Sequence, residues 1–281
     1  MVGGRHPEFY PLIMLIAVIT GACLKRRYPS PAGLDRFEQI WLGLGAFSGA
    51  FLAAKVPFLL PGVPGFQNPD GMWIGGKTIL FGMTGGYIGV ELAKKGIGLT
   101  EKTGDQFVVP VAASIAIGRL ACFFGGCCYG LPTELPWGIT FPNVDSHPRH
   151  PTQFYEFMFH LTFAVTAARL LQKGCFREQL IKLYFLSYFV FRFLTEYLRP
   201  EIRLTWGLTG YQWTCICFFV LFAGLWKYDA NRYRKKHRDS RPASATPDSS
   251  ASTDNQQHLS ETSCDPAAGS SLADACHEGV R

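Results

Sequence analysis

The amino-acid sequence predicts an all-α, polytopic membrane protein with about seven transmembrane helices. Two observations predict it. Apolar residues gather into runs long enough to cross a hydrocarbon core, for which about 20 residues suffice. Between the runs, Lys and Arg crowd into alternate connections, the asymmetry that orients membrane proteins. The predicted spans are 10–24, 40–60, 74–92, 107–124, 154–171, 183–198 and 210–226.

The first span is short and broken by Thr20 and Gly21, as a cleaved signal peptide would be. Its basic cluster, Lys25, Arg26 and Arg27, follows the apolar run instead of preceding it, which favours a retained span. The third span is rich in glycine, from Gly75 and Gly76 to Gly82, Gly85, Gly86 and Gly89. Small residues let helices approach closely, and they also let backbone approach a ligand. The fourth span ends in Arg119 and enters a glycine-rich turn, Gly125 to Gly130.

The first connection carries Lys25, Arg26, Arg27 and Arg36; the third carries Lys94, Lys95 and Lys102. The fifth carries Lys173, Arg177 and Lys182, and Arg232, Arg234, Lys235, Lys236 and Arg238 follow the last span. Segment 61–72 has no Lys or Arg, and the connection after span four has only Arg149. These counts place the N-terminus outside and the C-terminus in the cytoplasm. The net charge of +6 therefore belongs to membrane orientation and anionic headgroups, not to nucleic acid. Two regions follow: a transmembrane domain over 1–230, and a basic, then polar, disordered cytoplasmic tail over 231–281. No internal repeat of the transporter kind is present.

Of nine cysteines, only Cys122, Cys127 and Cys128 cluster. Inert packing, a disulfide to Cys122, and a chemical or metal role all remain open for them. The triplet lacks the paired C-x-x-C spacing of a structural metal site.

An arginine at membrane depth costs about 2.5–3.5 kcal/mol on insertion scales, so it is usually there for a partner. Its planar fork suits phosphate, although a helix-end arginine can simply snorkel to the interface. Arg119, Arg149, Arg192 and Arg199 all fall at the outer edge of the predicted topology. Arg192 and Glu196 are four apart and share a helix face, as do Gln153 and Glu156, three apart. Four arginines at one depth point to an anionic headgroup.

The chain here resembles the prolipoprotein diacylglyceryl transferase family. The matching pieces are Gly85-Gly86 to Gly89, Gly118-Arg119, Gly126 and Gly130, Pro136-Trp137-Gly138, and Phe141-Pro142. The string Pro148-Arg149-His150-Pro151-Thr152-Gln153-Phe154-Tyr155-Glu156 follows, then Arg192, Glu196 and Arg199-Pro200-Glu201. The resemblance implies transfer of the diacylglyceryl group of phosphatidylglycerol to the lipobox cysteine of prolipoprotein signal peptides. It implies a bacterial inner-membrane enzyme with its site toward the outer leaflet and no metal or organic cofactor. Arg119, Arg192 and Glu196 would be catalytic. Gly85, Gly86, Arg149, His150, Gln153, Tyr155, Glu156 and Arg199 would bind substrate beside Arg119.

Three positions depart from the family pattern. Thr84 stands where the family has a histidine, Cys122 where it has an asparagine, and Cys127 where it has a glutamate. A threonine hydroxyl cannot act as a base near neutral pH. The alternative is a divergent relative that binds or remodels anionic phospholipid or modifies another acceptor. A transporter or a membrane thiol-redox protein is the third reading.

Overall fold

A computed structural model describes residues 6–28, 34–59, 78–176 and 178–239. The start of the third predicted span at 74–77, the charge-poor segment 61–72, Arg177 and the polar tail from 240 onward lie outside the described residues. The described residues contain seven α-helices: α1 (Phe9–Arg27), α2 (Arg36–Leu59), α3 (Ile79–Gly96), α4 (Asp105–Phe124), α5 (Thr152–Lys173), α6 (Leu180–Thr195) and α7 (Gly210–Asp239). Four of them, α1, α2, α4 and α7, are long and apolar enough to cross a membrane. Many large apolar side chains on the outer faces are uncovered, among them Leu15, Phe47, Leu52 and Val220. Such a surface suits hydrocarbon and not water.

α2 and α3 form a close pair because both present glycine at a four-residue spacing. Gly45 and Gly49 of α2 face Gly89 and Gly85 of α3, in antiparallel order. A Cβ on Gly45 would stand 2.6 Å from the carbonyl oxygen of Gly89, so no side chain fits there. α1 packs beside α4, with the Ser114 hydroxyl donating to the Ala17 carbonyl and Lys25 Nζ to Gln106 Oε1 at 2.6 Å.

α4 to α7 enclose an aromatic core of Tyr184, Phe185, Tyr188, Phe189 and Phe222. At one end of this bundle Asp229 accepts from Lys102 and Lys182, at 2.7 and 2.6 Å. Asp105 at the start of α4 accepts from the backbone N–H groups of Glu178 and Leu180. It thereby caps α6 from a neighbouring helix, since the first N–H groups of a helix lack partners within it.

The opposite end is irregular. A short hairpin of β1 (Ile139–Thr140) and β2 (Pro148–Arg149) joins α4 to α5, a feature absent from the sequence reading. α6 stops at Thr195 and tightens into a 3₁₀ turn, Glu196–Leu198, before Pro200. The predicted helix through 198 is therefore cut short, because proline disfavours helix in the residue before it. α7 runs on to Asp239, well past the predicted end at 226. Its extra turns carry straight-chain Arg and Lys residues, which are good helix formers.

Candidate active site

The irregular end gathers the buried charges. Arg119 comes from the last turns of α4, Glu156 from the first turns of α5, Arg192 from the end of α6, Glu196 from the 3₁₀ turn and Arg199 from the position just after it. All five are buried. Glu156 stands at the centre. Its Oε2 pairs with Arg119, and its Oε1 lies 2.6 Å from Arg199 Nη2 and 3.4 Å from Arg192 Nη1. Tyr188 donates to it at 3.4 Å. The expected pair between Arg192 and Glu196 is present at 2.7 Å, and Thr209 donates to the other Glu196 oxygen at 3.0 Å.

Three guanidiniums against two carboxylates leave the five groups at net +1 (3 − 2). Nε of Arg119 and Nε of Arg199 are buried without a hydrogen-bond partner. A buried orphan donor is costly, and on an arginine it is an open position for an anion. Glu201, in the segment after α6, is buried enough to feel the charges of Arg199 and Arg192. Burial, and then the like charge of Glu196, push its carboxyl above the usual carboxylate range.

The remaining predicted site residues divide into three groups. Arg149 does not join the cluster. It pairs with Asp145, donates to the Gly130 carbonyl at 3.1 Å and lies over the Tyr129 ring. That bond holds the Asp145 carboxyl below its ordinary range. Of the four arginines expected at one anionic site, three therefore meet around Glu156 and the fourth anchors the hairpin loop. His150 Nδ1 sits 3.2 Å from the Tyr155 hydroxyl, which accepts from Trp137 Nε1 at 2.9 Å. Gln153 Nε2 donates to the Cys127 carbonyl at 2.6 Å, so α5 grips the loop that follows Arg119. Gly85 and Gly86 face α2, against Gly49 and Ala53 and against Ala46 and Ala50. There they permit helix contact. The hydroxyl of Thr84 donates to the Leu80 carbonyl of its own helix at 3.2 Å.

Sequence reasoning missed two members. Tyr188 reaches Glu156 across the bundle. His160, one helical turn beyond Glu156, is fully buried, with Nδ1 2.8 Å from the Tyr184 hydroxyl and Nε2 unpartnered. The four-residue spacing from Glu156 to His160 was the available signal. Beside these residues α5 and α6 leave an open apolar groove of about 370 Å³, lined by Tyr155, Met158, Phe159, Thr162, Phe163 and Phe191. At the same end Trp206 is 83% exposed and Trp137 54% exposed, amphipathic rings of the kind enriched at membrane–water interfaces.

Comparison with known proteins identifies the family of the chain. A family model described as prolipoprotein diacylglyceryl transferase matches residues 3–228. A phosphatidylglycerol–prolipoprotein diacylglyceryl transferase of Zymomonas mobilis is 31% identical over 255 residues, covering 80% of this chain and 86% of its own length. The proteins of that name from Polynucleobacter necessarius and Clostridium tetani are 30% and 26% identical. They cover 80% and 81% of this chain and 91% and 94% of their own lengths. The chain belongs to the prolipoprotein diacylglyceryl transferase family.

Proposed function

We propose that this protein transfers the diacylglyceryl group of phosphatidylglycerol to the lipobox cysteine thiol of a prolipoprotein signal peptide. The observation that carries the reading is the net positive cluster of Arg119, Arg192 and Arg199 around Glu156, with two open guanidinium donors. A phosphodiester carries one negative charge and accepts from such donors. The substrate thiolate would attack the glyceryl carbon, forming a C–S bond while the C–O bond to phosphate breaks. The electron pair leaves with glycerol phosphate. Charge that develops on the departing phosphate oxygen is met by donors already in place, which lowers the barrier without reorganisation. The same positive field favours the thiolate form of the acceptor.

The chain would cross the bacterial inner membrane seven times, with the N-terminus outside and the arginine cluster toward the outer leaflet. Phosphatidylglycerol, signal peptides and the bilayer itself are its partners, and nucleic acid is not. The 1–230 region would hold the transferase, with the remainder as a cytoplasmic tail.

Complementation of a bacterial strain depleted of its own transferase tests the reading, together with transfer to a lipobox peptide in detergent–phosphatidylglycerol micelles. Growth and a peptide heavier by one diacylglyceryl group are expected. Tight binding of phosphatidylglycerol with no transfer would establish the alternative, a divergent relative that binds anionic lipid. Thr84 gives that alternative its footing, because its hydroxyl is engaged within its own helix.

A further inference from the structure

Cys122 lies in the last turn of α4, and Cys127 and Cys128 follow in the Gly125–Gly130 loop. The spacing alone argued against a metal site. The fold changes that argument. The Cys127 N–H donates to the Cys122 carbonyl at 3.1 Å, closing the loop on itself. Gly126 and Cys128 both take left-handed backbone, at φ +67° and +60°. For a non-glycine residue that conformation is uncommon and strained, and it turns the chain sharply. The carbonyls of Cys127 and Cys128 are tied to Gln153 and Thr152 of α5. As a result all three sulfur atoms lie within 4.8 Å of one another.

We propose that Cys122, Cys127 and Cys128 form a three-thiolate site for Cu(I). With metal–sulfur bonds of about 2.3 Å, three sulfurs in a plane around one ion stand about 4.0 Å apart, so the triad needs to close by less than about 1 Å. Soft thiolates select Cu(I) and Zn(II) among available ions. The cluster holds three ligand groups and no fourth His, Cys, Asp or Glu among the described residues. Three thiolates complete a trigonal Cu(I) site by themselves, whereas zinc held by them would need water as a fourth ligand. The charge also fits. On binding, three S–H groups release three protons to solvent, three Cu–S bonds form, and no electrons move. The complex carries −2 (+1 − 3), and Arg119 and Arg199 both act electrostatically on Cys128, with Arg119 acting on Cys122 as well. All three side chains are only partly covered, so an ion can enter.

The test uses full-length protein, reduced and handled without oxygen, in detergent. One variant keeps only the triad, with Cys23, Cys175, Cys215, Cys217, Cys264 and Cys276 replaced by alanine. A second replaces the triad by serine and keeps the other six. Both are compared with a variant lacking all nine. Cu(I) is supplied from its bicinchoninate complex, and folding is followed by monodisperse elution and thermal melting. The triad-only protein should retain one Cu(I) per chain with three sulfur ligands by X-ray absorption, and the triad-to-serine protein should lose that equivalent. Copper uptake by the triad-only protein no greater than by the cysteine-free protein overturns the proposal. So does a site that takes Zn(II) in preference to Cu(I), or copper held by fewer than three sulfurs.

Discussion

Arg199 Nη2 lies 2.6 Å from Glu156 Oε1 although the two are 43 positions apart in sequence, with all of α6 between them. One carboxylate thus ties the 3₁₀ turn after α6 to the start of α5 and, through Arg119 and Arg192, to α4 and α6. Removing its charge should therefore do more than remove one ion pair. Glu156→Gln keeps the shape but takes the carboxylate from Arg119 and Arg199 in a buried site, and leaves only Arg192 paired, with Glu196. Breaking a buried pair from one side costs about 3–5 kcal/mol. The variant is expected to melt well below the wild type in detergent and to lose lipid transfer. An unchanged melting temperature would show that the arginines find other partners.

Arg119→Lys keeps the charge and can keep the pair with Glu156. It loses the planar fork and the free Nε donor. A hydrogen bond to a charged group is worth about 1.5–3 kcal/mol, so kcat/KM for phosphatidylglycerol should fall about 10- to 100-fold while the fold survives. Transfer at the wild-type rate would remove Arg119 from the phosphate site.

Thr84→Ala should be mild. The hydroxyl already donates to the Leu80 carbonyl, a bond internal to α3. Its loss should change transfer by less than about threefold, since such back-bonding adds little to helix stability. A folded but inactive Thr84→Ala would give Thr84 a direct part in the reaction.

The raised Glu201 carboxyl gives a pH dependence with a definite sign. A raised acid holds its proton more tightly in the fold, so stability falls as pH rises past the ordinary carboxylate value toward the folded one. Ionisation also takes the local charge from +1 to 0, counting Glu201 with the five buried groups. The KM for phosphatidylglycerol should therefore rise as pH climbs above the ordinary carboxylate range. Glu201→Gln should flatten that rise, and an unaltered slope would place the titrating group elsewhere.

The orientation is open to a simple measurement. Reporter fusions after Arg27 and after Lys236 should both read as cytoplasmic. An external reading at either position would invert the proposed side of the arginine cluster.

The sequence made some of this legible for physical reasons. Arg192 and Glu196 sit four apart across the end of α6, a separation at which side chains meet while the chain keeps turning helically. The glycines of α3 announced a close helix contact, and Gly85 and Gly89 make one. The convergence on Glu156 was legible only as a shared depth, because which arginines reach it depends on how α4, α5 and α6 cross. Arg149 shows the limit: depth grouped it with the others, but Asp145, four residues before it in the hairpin loop, takes it instead. The α6 break was foreshadowed by Pro200. The left-handed backbone at Cys128 was not foreshadowed, since nothing in its side chain favours that conformation.

The shared carboxylate also bears on the order in which the protein is made. Helices leave the ribosome from the N-terminus, so α4 presents Arg119 to the membrane before Glu156 exists. Until α5 follows, that guanidinium lacks its counter-charge, at a cost of about 2.5–3.5 kcal/mol if it sits at depth. Arg192 and Arg199 arrive later still, when the acceptor is already in place. A delay between α4 and α5 during synthesis thus leaves a half-built ion cluster exposed to lipid, and the arrival of one glutamate ends that interval.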